Sequence, residues 1–433
     1  MSDNFYDARL MFSSCDSLIK FDGTYLNTEN VTDMYGMFAQ CTSLTDCYVN
    51  TFNTSSVLTM KGLFNRCTSL KEVKLNNFDT SNVQSMEFMF NGCNILETVD
   101  VSNFNTSKVE NMSGMFSNCN KITTLNVSNW DVSKVTNFEQ MFGACHNLIT
   151  LDVSNWDMSS AENISRMFLE CQKVKVLDVS NWNVSNVTNL SYLFTDCETV
   201  TTLDVSNWDV SKNTSLDMVF INCFSITSLD LSKWNTLNCT SMLQTFTNCP
   251  YLRTIKFGEN FKTDNVTTMQ GLFLYCQSLE NIDLSCMTNT EKCTNMYSLF
   301  GMNISLTSVI LPPNFGCSAT NMMGMFSVCA SLRSLDLTNL QTSACTTMEQ
   351  MFLSCVSLTS LTMVNSIANV TNTNGMFGID NSLTPTTPTA TSTLYYNKTY
   401  ETDYLNKIIN NGVGTCAYCS WFTHYGYWTS SAI

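Results

Sequence analysis

The stretch MFSNCNKITTLNVSNWDVSKVTNFEQMF, Met115 to Phe142, is a unit that the chain repeats almost from end to end. A phenylalanine recurs at Phe12, Phe38, Phe64, Phe90, Phe116, Phe142, Phe168, Phe194, Phe220 and Phe246, always 26 residues apart. It continues at Phe273, Phe300, Phe326, Phe352 and Phe377 with steps of 27, 27, 26, 26 and 25. A fixed period of this size marks stacked units, none of which can bury its apolar face without a neighbour. The period therefore overrides the several globular domains that 433 residues would otherwise suggest.

Within one unit the pattern changes twice. After Cys119, Leu125 and Val127 alternate with Asn126, as a half-buried strand requires. The same positions recur as Leu151 and Val153, Leu177 and Val179, Leu203 and Val205. A serine- and asparagine-rich turn follows, closed by an aromatic at Trp130. Then come Val135, Phe138, Met141, Phe142 and Cys145, whose offsets of three, four and seven predict one face of a short helix. Each coil is expected to run strand, turn, helix, turn. About 15 coils, at roughly 4.8 Å per strand, would build one long parallel sheet with short helices on the opposite face.

Thirteen of the 21 cysteines stand three residues after a repeat phenylalanine, from Cys15 and Cys41 to Cys329 and Cys355. Asn303 and Asp380 take that place in two repeats. One small apolar group per coil in one register predicts a column of buried free thiols. Pairing along the column would demand alternating geometry.

The running pattern CxxLxxLxLSN(F/W)(D/N)xSxVxNMxxMF resembles the BspA-type leucine-rich repeats, in the 26-residue variant found in mycoplasma-lipoprotein-associated repeats. The resemblance covers about residues 5–383, so residues 1–383 are read as the solenoid and 384–433 as a C-terminal loop, cap and aromatic-rich tail. It implies an α/β leucine-rich-repeat solenoid, a family linked mostly to surface display, adhesion and partner binding, and it brings no catalytic residues. The pattern drifts after Cys249, where Asn260, Met287 and Asn314 replace the turn aromatic. Residues 402–409 read as a short capping helix ended by Gly412. With some ten residues before Met11, the N-terminal coil is expected to self-associate or dock to another subunit.

A net charge of −15, with 21 basic residues in no cluster, argues against nucleic acid as partner. No run of 18 apolar residues predicts a membrane span, and the start MSDNFYDARLMFSSC has neither the basic nor the apolar region of a secretory signal. GxSxG, HExxH and glycine-rich phosphate motifs are missing, so no enzyme, cofactor or metal is expected. Cys416-x-x-Cys419 resembles half a metal or redox motif, with His146 and His424 the only histidines.

Two columns could carry recognition. The first follows the second strand leucine: Asp100, Asp152, Asp178, Asp204 and Asp230, facing outward as an acidic stripe. It would suit a cation or a basic or hydroxyl-rich ligand, unless each carboxylate is used by a neighbouring serine to organise the turn. The second is the aromatic column Trp130, Trp156, Trp182, Trp208 and Trp234, either a platform for sugar rings or a partner's side chains, or a ladder packed inside the wall.

These readings add up to an expected non-enzymatic recognition or structural protein displayed on an exterior surface. The leading expectation is a virion component, such as a bacteriophage fibre, decoration or receptor-binding protein. The alternative is a bacterial or protist adhesin for host proteins or glycans, and the third is an intracellular partner-binding scaffold.

Overall fold

A computed structural model describes residues 5–378 and 393–409. The chain forms two compact units, Met1–Lys212 and Asn213–Ile433, each a stack of parallel coils. In the first unit β1 (Lys20–Asp22) pairs with β2 (Asp46–Tyr48), β3 (Glu72–Val73) with β4 (Thr98–Val99), and β5 (Thr124–Leu125) with β6 (Thr150–Leu151). In the second, β7 (Ser228–Leu231) pairs with β8 (Thr254–Phe257) and β9 (Asn281–Asp283) with β10 (Ser308–Ile310). There β11 (Ser334–Asp336) and β12 (Ser360–Met363) also take a third strand, β13 (Thr393–Tyr396). Every pairing is parallel and exchanges equivalent residues, Leu125 with Leu151 for instance, so the solenoid and its register are as the repeat implies. Among the described residues the strands pair in short sheets of two or three and not in one long sheet, and in the first unit bonded and open steps alternate as far as β6.

The expected helices are replaced by tight turns. Met37, Ala39 and Cys41 N–H groups close successive turns on the carbonyls of Met34, Gly36 and Phe38 at 2.9–3.2 Å. The N–H groups between them, from Gly36, Phe38 and Gln40, point out of the coil and donate to Lys61, Leu63 and Asn65 of the next at 2.9, 3.0 and 2.7 Å. Left-handed residues make this alternation: Gly36 at φ 56° and Gln40 at φ 62°, then Gly62 and Arg66, Gly114 and Asn118, Gln140 and Ala144. A helix sends every N–H along its own axis to residue i−4. Here half of them reach the next coil instead, so this ladder joins coil to coil where helices would only have packed. The helical content among the described residues is the segment 398–409, which holds α1 (Glu401–Tyr404). It docks by bonds from the Tyr404 hydroxyl to the Asn365 carbonyl (2.8 Å) and from the Thr373 hydroxyl to the Lys407 carbonyl (2.6 Å). Gly412, the stretch from Thr384 to Pro388, Cys416, Cys419 and His424 lie outside the described residues.

The core is a set of columns, one side chain per coil. Phe116, Phe142, Phe168 and Phe194 stack with ring centroids 5.9–6.0 Å apart and planes within 7°. Column cysteines from Cys41 onward are buried and free. The Cys145 thiol donates to the Phe116 carbonyl at 3.2 Å, and Cys119 and Cys171 do the same to Phe90 and Phe142. Asn303 keeps the bond by donating Nδ2 to the Phe273 carbonyl at 2.9 Å. Burial pushes the Cys93 and Cys145 thiols up to about 12, far from the thiolate that reacts. Cys15, expected to be buried with the column, is exposed, so iodoacetamide at pH 8 is expected to label Cys15 and half-buried Cys286 and Cys317 in the folded chain, and the column from Cys41 onward only after denaturation. Peptide mass mapping before and after urea checks this; labelling of Cys93 or Cys145 in the native chain would contradict it.

Candidate functional site

The strand face is built from residues that the pleat turns away from the core. In each pair the buried leucine or valine is flanked by an outward residue, and the outward positions are short and polar: Thr98, Thr124, Thr150, Thr202 and Ser228. The aspartate column lies on this face, as the pattern implied. Its carboxylates are each tied to the residue two places on. Asp100 Oδ1 accepts the Ser102 N–H at 3.0 Å and its hydroxyl at 2.6 Å. Asp152 holds Ser154 at 3.1 and 2.7 Å, Asp178 holds Ser180 at 3.1 and 2.7 Å, and Asp204 holds Ser206 at 3.1 and 2.6 Å. This is the turn-organising use of aspartate. It consumes one oxygen and leaves Oδ2 of Asp152 and Asp178 without a protein partner among the described residues.

The bonds also set the acidity. The Ser102 and Ser180 hydroxyls, then their N–H groups, hold the Asp100 and Asp178 carboxyls below the usual carboxylate value. Asp230 is held down to about 2, chiefly by the Ser232 hydroxyl and N–H, with Lys256 Nζ adding a contact at 3.0 Å. Lys256 occupies the aspartate register position of the next coil, so one like-charge neighbour becomes an ion pair. A carboxyl whose folded value is depressed stabilises above the unfolded value of about 3.9, and that contribution disappears as pH falls through the folded value. The urea midpoint is thus expected to hold steady above about pH 5 and to fall between about pH 4 and 2. A midpoint that rises in that window would contradict the assignment.

The tryptophans do not form an exposed platform. Trp130, Trp156, Trp182, Trp208 and Trp234 are all at most 4% exposed. Trp130 and Trp156 stack at 6.4 Å and 7°, and Trp182 and Trp208 at 6.2 Å and 3°. The indole N–H groups of Trp130, Trp156 and Trp182 donate to the carbonyls of Val101, Val127 and Val153, each at 3.1 Å. Their ring faces are taken up by the wall, and no ligand can reach them. His146 is also engaged, with its ring nitrogens 3.1 Å from Asn120 Oδ1 and 2.8 Å from Glu170 Oε2. Among the described residues no group of three or more His, Cys, Asp or Glu could hold a metal ion, and no helix is long and apolar enough to cross a membrane.

One feature of the face was not expected. Thr45, Glu97 and Ile149 N–H groups donate across the bonded steps to Ile19, Lys71 and Thr123. The equivalent N–H groups of Lys71 and Thr123 have no partner among the described residues, and neither do those of Lys175 and Thr201. The segment 175–178 thus stands between two open steps in succession. A groove of about 470 Å³ lies beside it, lined by Ile149, Thr150, Asp152, Lys175, Val176 and Asp178 among others. Val176, at 69% exposed, and Ile149, at 43%, form its aliphatic lip. The signal in the sequence was a valine at an outward position that its neighbours fill with threonine.

Comparison with known proteins gives the family and no activity. The family described as "Mycoplasma protein of unknown function, DUF285" matches residues 6–98, 71–176, 93–201, 165–284, 251–312 and 286–387 in overlapping copies. No curated protein matches the chain. Among solved structures, it is similar to a leucine-rich repeat protein from Bacteroides ovatus at 15% identity and TM-score 0.33, covering 75% of this chain and 87% of that one. One from Eubacterium ventriosum is 15% identical with TM-score 0.36, covering 79% and 85%. One from Leptospira interrogans is 12% identical with TM-score 0.26, covering 82% and 80%. Matched by overlapping copies from residue 6 to residue 387, the chain belongs to the DUF285 family and is a BspA-type leucine-rich-repeat protein.

Proposed function

We propose that this chain is a non-enzymatic recognition protein that works on an exterior surface and meets a protein partner through its strand face. The observation that carries the reading is the repeated Asp–Ser pair. Coil after coil, a fixed carboxylate offers its outer oxygen to the solvent from a wall whose backbone is held by the turn ladder behind it. Such preorganised rows favour binding because little side-chain freedom is left to lose. A protein partner fits better than a glycan, since the tryptophans suited to sugar rings are buried and the groove lining carries no aromatic residue.

The virion and adhesin readings share this chemistry and differ in what carries the protein. Immunogold labelling of intact source cells and of purified virus particles, with an antibody to this chain, tests both. Label on either exterior is the expected result. Label on particles alone selects the virion component, and label on cells alone selects the adhesin. Label seen only after permeabilisation would overturn the exterior reading in favour of an intracellular scaffold.

A further inference from the structure

We infer that the groove beside Val176 docks an extended segment of a partner protein in which an aliphatic residue and a lysine or arginine stand two positions apart. This rests on the reading that the strand face is the recognition face, and it names the partner's chemistry at one place on that face. The groove lies between β6 and the segment 175–178, where the strand-to-strand bonds that close other steps do not form. A ligand lying along it would follow the strand direction. Its two ends differ in chemistry: Ile149 and Val176 at one end, Asp152 and Asp178 at the other.

An extended chain places residues i and i+2 on the same side, roughly 6.5–7 Å apart. An aliphatic side chain covering Val176 therefore brings a side chain two positions on toward the carboxylates. Oδ2 of Asp152 and Asp178 is open on the solvent side, because Ser154 and Ser180 take Oδ1. A cation there gains charge-assisted hydrogen bonds. The overall charge of −15 draws such a segment in and repels an acidic one. Lys175, on the aliphatic side, opposes the reversed orientation, which would set the partner's cation against it.

The test uses the full chain and a fluorescein-labelled octapeptide, Val-Ser-Lys-Ser-Val-Ser-Lys-Ser, which shows valine and lysine on one side and serine on the other. Saturable binding by fluorescence anisotropy is expected, weakening with added salt. The peptide with glutamate in place of lysine should not bind. Val176→Ser, at an exposed position that leaves the fold intact, should weaken binding about tenfold, and Asp152→Asn with Asp178→Asn should weaken it and reduce its salt dependence. Glu162→Gln, on an exposed turn away from the groove, should change nothing. No saturable binding, or equal binding by the Val176 and aspartate variants, would overturn the inference. Exterior immunogold label would stand in either case, so failure here is distinguishable from failure of the surface reading.

Discussion

Phe142→Ala lowers the stability of the chain by about 3–5 kcal/mol, and the loss is confined to the neighbouring coils at first. Phe142 is fully buried, stacked at 6.0 Å on Phe116 and 5.9 Å on Phe168, and 6.2 Å from Trp156. Truncation removes one ring from the column and leaves a cavity that the ladder on both sides prevents from collapsing. In a stacked array each coil touches only its neighbours, so stability is close to a sum of coil and interface contributions. Urea titration gives the total, and site-resolved hydrogen exchange locates it. Faster exchange spread evenly over every coil would contradict the one-dimensional account.

Asn213→Val has the opposite sign. Asn213 is buried at 2% exposure, and neither its Oδ1 nor its Nδ2 has a hydrogen-bond partner among the described residues. The same register position holds Val135, Val187 and Val266 elsewhere. Leaving a buried amide unsatisfied costs roughly 1–3 kcal/mol, and valine removes both polar atoms while keeping the column apolar. A gain of about that size in unfolding free energy is expected from the shift in urea midpoint. An unchanged or lowered midpoint would show that the amide is satisfied in solution.

The period, the strand register and the thiol column were all legible in the sequence. Each depends only on which side chain recurs, and Leu125 opposite Leu151 or Cys119 beside Cys145 follows from spacing alone. The turns behind them were misread as helices because consecutive tight turns return Val135, Phe138, Met141 and Phe142 to the core at the same three- and four-residue offsets. Glycine two places before the repeat phenylalanine, at Gly36, Gly62 and Gly114, was the contrary sign. A helix interior disfavours it, and a left-handed position wants it. Of the candidate site, the outward aspartates could be placed from alternation, whereas the fate of the tryptophans could not. A bulky aromatic after a strand stacks on itself or faces solvent according to how coils are spaced, and that spacing is a property of the assembled stack. The open steps beside Val176 are hidden for the same reason.

The ladder of turns, with the strand side partly open, is what positions the strand face, and residue-resolved amide hydrogen exchange on the folded chain tests it most directly. The account predicts slow exchange at Phe116, Asn118, Gln140 and Phe142, whose N–H groups donate to the next coil at 2.8–3.0 Å. It predicts fast exchange at Lys175 and Leu177, in the segment between the two open steps. Slow exchange at Lys175 and Leu177 together with fast exchange at the turn amides would mean a continuous sheet backed by loose turns, and would contradict it.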